Sequence, residues 1–201
     1  MTHTLFRSSP KDFEDFVLFV FAVTGINNVK IKEKMLEVIE LAKKYNPVTF
    51  GISEIGSTMQ CSKEELIGKI NEDCRKMHLV FSSENDVYNV IKLLKARKLG
   101  LSVSLLAPHQ KIKKIVTELE IMPNAFNFDL GVHGNRKVEG TIEQVVSLCG
   151  HMRISPRLVQ NLIERVRSNQ MEPKQAACKV GRVCRCGSFN VNLAAKLLEK
   201  G

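Results

Sequence analysis

The stretch SSPKDFEDFVLFVFAVTG, residues 8–25, decides how the rest of the chain is read. Ser9 and Pro10 are the residue types favoured at a helix cap and at the first helical position. Phe13, Phe16, Val17 and Val20 then recur at i, i+3, i+4 and i+7, which predicts a helix. The competing reading is a strand over residues 16–23, where eight apolar residues run without a break. That run is far short of the roughly 20 residues a membrane-spanning helix needs. Five of the ten phenylalanines lie in the first 21 residues, so this element is expected to plug into the core.

With residues 8–25 taken as a helix, the remainder alternates. VKIKEKMLEVIELAKKY is amphipathic, with Ile31, Met35, Val38, Ile39 and Ala42 on one face. PVTFGIS reads as a strand, and CSKEELIGKINEDCRK as a helix opened by a Ser62/Glu65 capping box. LVFSS is a strand, NDVYNVIKLLKARKLG a helix ended by Gly100, LSVSLLAP a strand, HQKIKKIVTELEI a helix and AFNFDLGVHG a final strand. This βαβαβαβ pattern predicts an α/β domain over residues 1–138, with a mainly parallel sheet of about four strands flanked by helices. Residues 139–201 read differently. TIEQVVSLC, SPRLVQNLIERVRSN, EPKQAACKVGRV and NVNLAAKLLEK are helical patterns with no strand between them. They predict a small, basic, all-helical region carrying cysteines.

The charge is concentrated in that region. From His151 onward ten Lys and Arg residues face three acids, a net of +7 out of +9 for the chain. Such a surface attracts anions: an acidic protein partner, nucleic acid or an anionic metal cluster. The opening MTHTLFRSSP has no apolar core after a basic start, so no secretory leader is expected. The protein is therefore expected to be cytoplasmic and not membrane-bound, with its six cysteines as thiols or metal ligands, not structural disulfides.

Four of those cysteines lie in the basic region. Cys149 closes a helix in SLCGHMR, with Gly150 and His151 after it. CKVGRVCRCGSFN, residues 178–190, adds Cys178, Cys184 and Cys186. Both clusters fall at glycine-containing helix junctions, where side chains can converge. A Cys-x-Cys pair plus Cys149 offers three thiolates, with Cys178 or His151 as the fourth ligand. An iron–sulfur cluster is the leading occupant, because thiolates hold it and nearby positive charge offsets its own. Zinc is the rival, although its paired cysteines are usually two to four residues apart. A redox dithiol is the third option. Cys61 and Cys74 read as small buried hydrophobes.

The segments CGH, CRCGSFN and the final helix resemble the C-terminus of an uncharacterised family of anaerobic archaeal and bacterial proteins. The likeness covers about the last 60 residues. It implies a shared site at Cys149, His151, Cys184 and Cys186 but no reaction, and Cys178 does not stand out in it. An anaerobic setting would suit an oxygen-sensitive cluster.

In a parallel sheet, ligands bind beyond the C-terminal strand ends. That placement makes His109, Asp129 and His133 the candidates for an enzymatic site, with His133 between glycines in DLGVHGN the most accessible. No G-x-G-x-x-G, phosphate-binding loop or H-E-x-x-H occurs. Three functions follow in order. The first is an iron–sulfur protein with a redox, electron-transfer or cofactor-handling role in anaerobic metabolism, docking an acidic redox partner. The second is a zinc-stabilised nucleic-acid-binding module, disfavoured because Phe189 is the one aromatic residue near the basic ones. The third is an enzyme working at the sheet edge.

Overall fold

The computed structural model describes Arg7, residues 14–123 and residues 138–201. The chain forms two compact units. The first is Glu14–Met122 with Arg185–Ser188, and the second includes residues 138–184 and 189–201, whose regular elements are helices.

The first unit holds a five-stranded sheet of β1 (Phe16–Phe21), β2 (Thr49–Ile52), β3 (Gly56–Ser57), β4 (Lys76–Phe81) and β5 (Ser102–Leu106). Its helices are α1 (Ile31–Ala42), α2 (Lys63–Gly68), α3 (Glu84–Arg97) and α4 (His109–Glu118). The strand order is β3-β2-β4-β1-β5, and every neighbouring pair is antiparallel. This overturns both the parallel sheet and the opening helix expected from the sequence. Residues 16–21 form the strand between β4 and β5, and five of the six are buried. A surface helix needs a polar face, and FVLFVF has none; a continuous apolar run rich in Phe and Val suits a strand covered on both sides.

The βαβ rhythm of the sequence has a topological origin. β1-α1-β2 and β4-α3-β5 are each βαβ units whose two strands run the same way. In each unit, however, one strand of the other lies between them: β4 in the first, β1 in the second. This split βαβ, ferredoxin-like order places antiparallel neighbours throughout while keeping the βαβ rhythm in sequence.

On one face, Phe16, Leu18 and Val20 of β1 join Phe50, Ile52, Met77, Leu79 and Phe81. These pack with the buried side of α1, which consists of Ile31, Met35, Val38, Ile39 and Ala42, as its spacing predicts. Val87, Val90, Ile91 and Leu94 of α3 complete the layer. The opposite face carries Val17, Thr49, Gly51, His78 and Val80. Segment 185–188 lies there, because a Cβ on Gly51 would point into the Cys186 carbonyl.

Several expected boundaries shift. The helix in CSKEELIGKINEDCRK stops at Gly68, although Ser62 Oγ does accept from the Glu65 amide at 3.1 Å. The other half of the capping box is missing: Glu65 instead pairs with Lys69 at 2.6 Å. The final strand expected over residues 125–134 lies outside the described residues. α3 is capped by Ser83, whose Oγ accepts from the Asp86 amide at 3.2 Å. Its first residue, Glu84, bonds Lys114 at 2.8 Å and faces Lys111 at 3.5 Å. The hydrogen bond from Lys114 holds the Glu84 carboxyl below the usual carboxylate range, and its partial burial opposes this. The resulting stability exists above the ordinary carboxylate pKa and is lost as pH falls through the lowered one. Glu84→Gln should therefore lower the unfolding free energy measured in urea modestly at pH 7, by less than about 1 kcal/mol for a partly exposed pair, and by nothing measurable near pH 2.

The second unit contains α5 (Gly140–Ser147), α6 (Pro156–Arg167), α7 (Pro173–Gly181) and α8 (Val191–Lys200). Pro156 and Pro173 occupy first-turn positions as expected. Asn190 caps α8, its side chain accepting from the Leu193 amide at 3.0 Å. α7 packs closely on α8, and Ala176 and Ala177 of α7 and Ala194 of α8 are fully buried. α5 packs on α6 and α8.

Candidate metal centre

The structure brings two of the predicted ligands together. Cys149 follows α5, and Cys184 follows the last turn of α7, where its amide bonds the Gly181 carbonyl at 2.9 Å. Both belong to the helical unit. Cys149 is 1% exposed and Cys184 0%. Neither is in a disulfide, and their thiols share a hydrogen bond. That bond raises the Cys149 pKa far above its ordinary value, and burial adds to the effect.

The loop after Cys149 is shaped around its sulfur. Gly150 sits at φ 66° and Met152 at φ 53°, both left-handed. For Met152 this costs roughly 1–2 kcal/mol. The alternation turns the backbone amides of His151 and Arg153 toward the Cys149 sulfur, where both donate and favour its anionic form. The two amides oppose burial and the Cys184 bond, and the thiol still prefers its proton. A cation in place of that proton would reverse the balance, since metals bind thiolates. His151 is half-buried, and its Nδ1 lies 3.3 Å from the Cys149 carbonyl.

The other sequence candidates are placed separately. Cys186 is 8% exposed and belongs to the sheet unit, where its thiol donates to Ser188 Oγ at 3.3 Å. Arg185, between the two cysteines, is exposed, and its Nη2 donates to the Glu54 carbonyl at 3.2 Å in the β2–β3 turn. The spacer therefore also ties its segment to the sheet. Cys178 is half-buried on α7, beside a shallow depression lined by Lys174, Gln175, Lys179 and Arg182. Among the described residues, no group of three or more His, Cys, Asp or Glu side chains is arranged to hold a metal ion.

His109 is the exposed first residue of α4. Asp129 and His133 lie outside the described residues. The placement argument for these three required parallel strands and lapses with the antiparallel sheet. Sequence reasoning also missed His78. It is fully buried on β4, stacked on Phe19 with ring centroids 4.4 Å apart, and directly opposite Gly51 in the ladder. A lone histidine inside a strand carries no spacing signal, so nothing in the sequence could have marked it.

Comparison with known proteins gives no matching family model, no matching curated protein and no matching solved structure. No helix among the described residues is long and apolar enough to cross a membrane.

Proposed function

We propose that this chain is a metal-binding protein that carries an iron–sulfur cluster, with Cys149 and Cys184 as its central thiolates. One observation carries the reading: two buried, hydrogen-bonded sulfurs, one of them met by two backbone amides from a loop with a left-handed methionine. An inert buried cysteine needs no such loop. Amide hydrogen bonds to a ligating sulfur are a standard means of setting a cluster's potential. A nucleophilic role is disfavoured, because nucleophilic cysteines are partly exposed with lowered pKa values, and Cys149 is the opposite on both counts.

His151 lies two residues after Cys149 in the chain, and Cys178 opens the cysteine-rich stretch that leads to Cys184. These two are the proposed sources of the remaining ligands. Iron–sulfur is preferred to zinc because the net positive charge of this region would offset an anionic cluster. The proposed role is electron transfer or cofactor handling, with an acidic protein as partner. Arg157, Lys174, Lys179 and Arg182 are all exposed and would attract such a surface. Phe189, the one aromatic residue of the basic region, is fully buried, which removes it as a base-stacking platform.

Purification under nitrogen and under air, followed by visible spectra and iron, zinc and sulfide analysis, tests the reading. A brown protein holding iron and sulfide that bleaches in air is expected. A colourless anaerobic preparation that stays free of iron after reconstitution would refute it. Zinc in place of iron would retain the cysteine centre and reject the cluster.

A further inference from the structure

β5 is an edge strand. All five of its residues pair with β1, and among the described residues nothing pairs with its outer side. The unpaired amides and carbonyls of an edge template association, so edges are usually blunted by shortness, charge, proline, a bulge or a cover. The opposite edge, β3, is two residues long. β5 has none of these devices. SVSLL holds no charge and no proline, its register with β1 runs without a bulge, and Val103 and Ser104 are exposed.

A braced apolar loop stands at the Ser102 end of this edge. The ladder sets Phe21 against Ser102, and the loop to α1 follows Phe21. Asn27 Nδ2 donates to the Gly100 carbonyl at 2.8 Å, two residues before β5. Inside the loop, Asn27 Oδ1 accepts from the Val23 amide at 2.7 Å and Asn28 Oδ1 from the Gly25 amide at 2.8 Å. Thr24 Oγ1 accepts from Arg75. These bonds fix the loop and still leave Ile26 78% and Val29 72% exposed. Aliphatic side chains held in water by an ordered backbone are preorganised for an apolar contact.

We propose that two copies of this chain associate through β5, edge to edge and antiparallel, about a two-fold axis at Ser104. A two-fold axis between antiparallel strands sets one residue against its own counterpart. Ser104 is the middle residue of β5, so centring there pairs all five positions. Val103 then faces Leu105 of the second copy, and both stand on the face of the sheet that carries Leu18 and Val20. Apolar side chains thus meet apolar ones. The chain carries +9 overall, but no charge on either strand opposes the pairing. The same rotation brings the Ser102 end of each copy, with its apolar loop, alongside the Leu106 end of the other. There Ala107 and Pro108 continue the chain. An unrelated extended peptide would use the edge alone, whereas a second copy uses the edge and both loops. The pairing involves none of the cysteines, so it stands or falls apart from the metal centre.

Sedimentation equilibrium of the full chain over a concentration series tests the proposal. The wild-type protein should reach twice the mass of one chain. Ser104→Lys puts two like charges opposite each other at the axis and should weaken the dimer at least about tenfold. Ile26→Ser should weaken it by about tenfold through lost apolar burial. Val183→Ser, an exposed apolar position in the helical unit, should leave the mass unchanged. Ser104→Cys tests the register independently, because directly opposed strand residues lie within disulfide reach. After mild oxidation with oxidised glutathione, the tryptic peptide 99–111, which holds no native cysteine, should be found linked to a second copy of itself. A wild-type chain that stays monomeric throughout would overturn the proposal. So would a dimer that Ser104→Lys leaves intact, or a Ser104→Cys dimer with no linkage through position 104. Circular dichroism checks that each variant is folded, and if Ser104→Lys is not, the Ser104→Cys linkage decides.

Discussion

Gly51→Ala is expected to destabilise the sheet unit by about 3 kcal/mol, at the upper end of overpacking costs. The new Cβ would stand 2.5 Å from the Cys186 carbonyl oxygen, 2.7 Å from its carbon and 2.8 Å from Gly187 Cα. All three are backbone atoms, so no side chain can swing aside. Gly187→Ala should be at least as damaging. Its Cβ would meet Gly51 Cα and the Phe50 carbonyl carbon, each at 2.6 Å. Its φ of 81° adds roughly 1–2 kcal/mol of left-handed strain for any residue with a Cβ. Gly68→Ala is the control. It lies at the end of α2 with nothing within 4 Å of the new atom, and should be neutral or stabilising by up to about 1 kcal/mol. Urea unfolding of the three variants checks the order. Equal midpoints for Gly51→Ala and Gly68→Ala would show that the Cys186–Gly187 backbone does not rest on β2.

The second large effect concerns metal. Cys149→Ser and Cys184→Ser should each lower iron affinity by more than about 100-fold, beyond the 10–100-fold that changes around a ligand produce. Cys74→Ser is the contrasting variant. Its thiol is buried in the sheet core, where burial raises its pKa and Asn71 is its hydrogen-bond partner. It should cost stability and leave iron content unchanged. Iron lost equally from all three variants would mean that retention follows folding and not ligation.

Much of the local structure was legible because it is local. The buried positions of α1 follow directly from its spacing, and the proline-started helices α6 and α7 begin where their prolines place them. The sheet was not legible, for two physical reasons. FVLFVF has a run of apolar residues long enough to contain helical spacing by accident, and its strand character appears only once both faces are covered. The split βαβ order then hides antiparallel pairing behind an alternation that usually signals parallel strands.

The candidate site divides in the same way. Cys149, Cys184 and Cys186 stood out from their clustering, and the junctions that place Cys149 and Cys184 are helix ends, as expected. The meeting of Cys149 with Cys184, 35 positions apart, depends on how α5 to α8 pack, which no short pattern encodes. The spacing of Cys184 and Cys186 suggested one site, yet the two residues belong to different compact units. Gly51, one of two unremarkable glycines in FGISEIGST, proves to be where another backbone approaches closely, a use of strand glycine that the sequence cannot distinguish from flexibility.

The most direct test of the account is iron and acid-labile sulfide per chain after anaerobic reconstitution, measured side by side on the wild-type protein and the Cys149→Ser/Cys184→Ser double variant. The account predicts comparable amounts of iron and sulfide on the wild-type chain and only background on the variant. Equal content in the two proteins would contradict it.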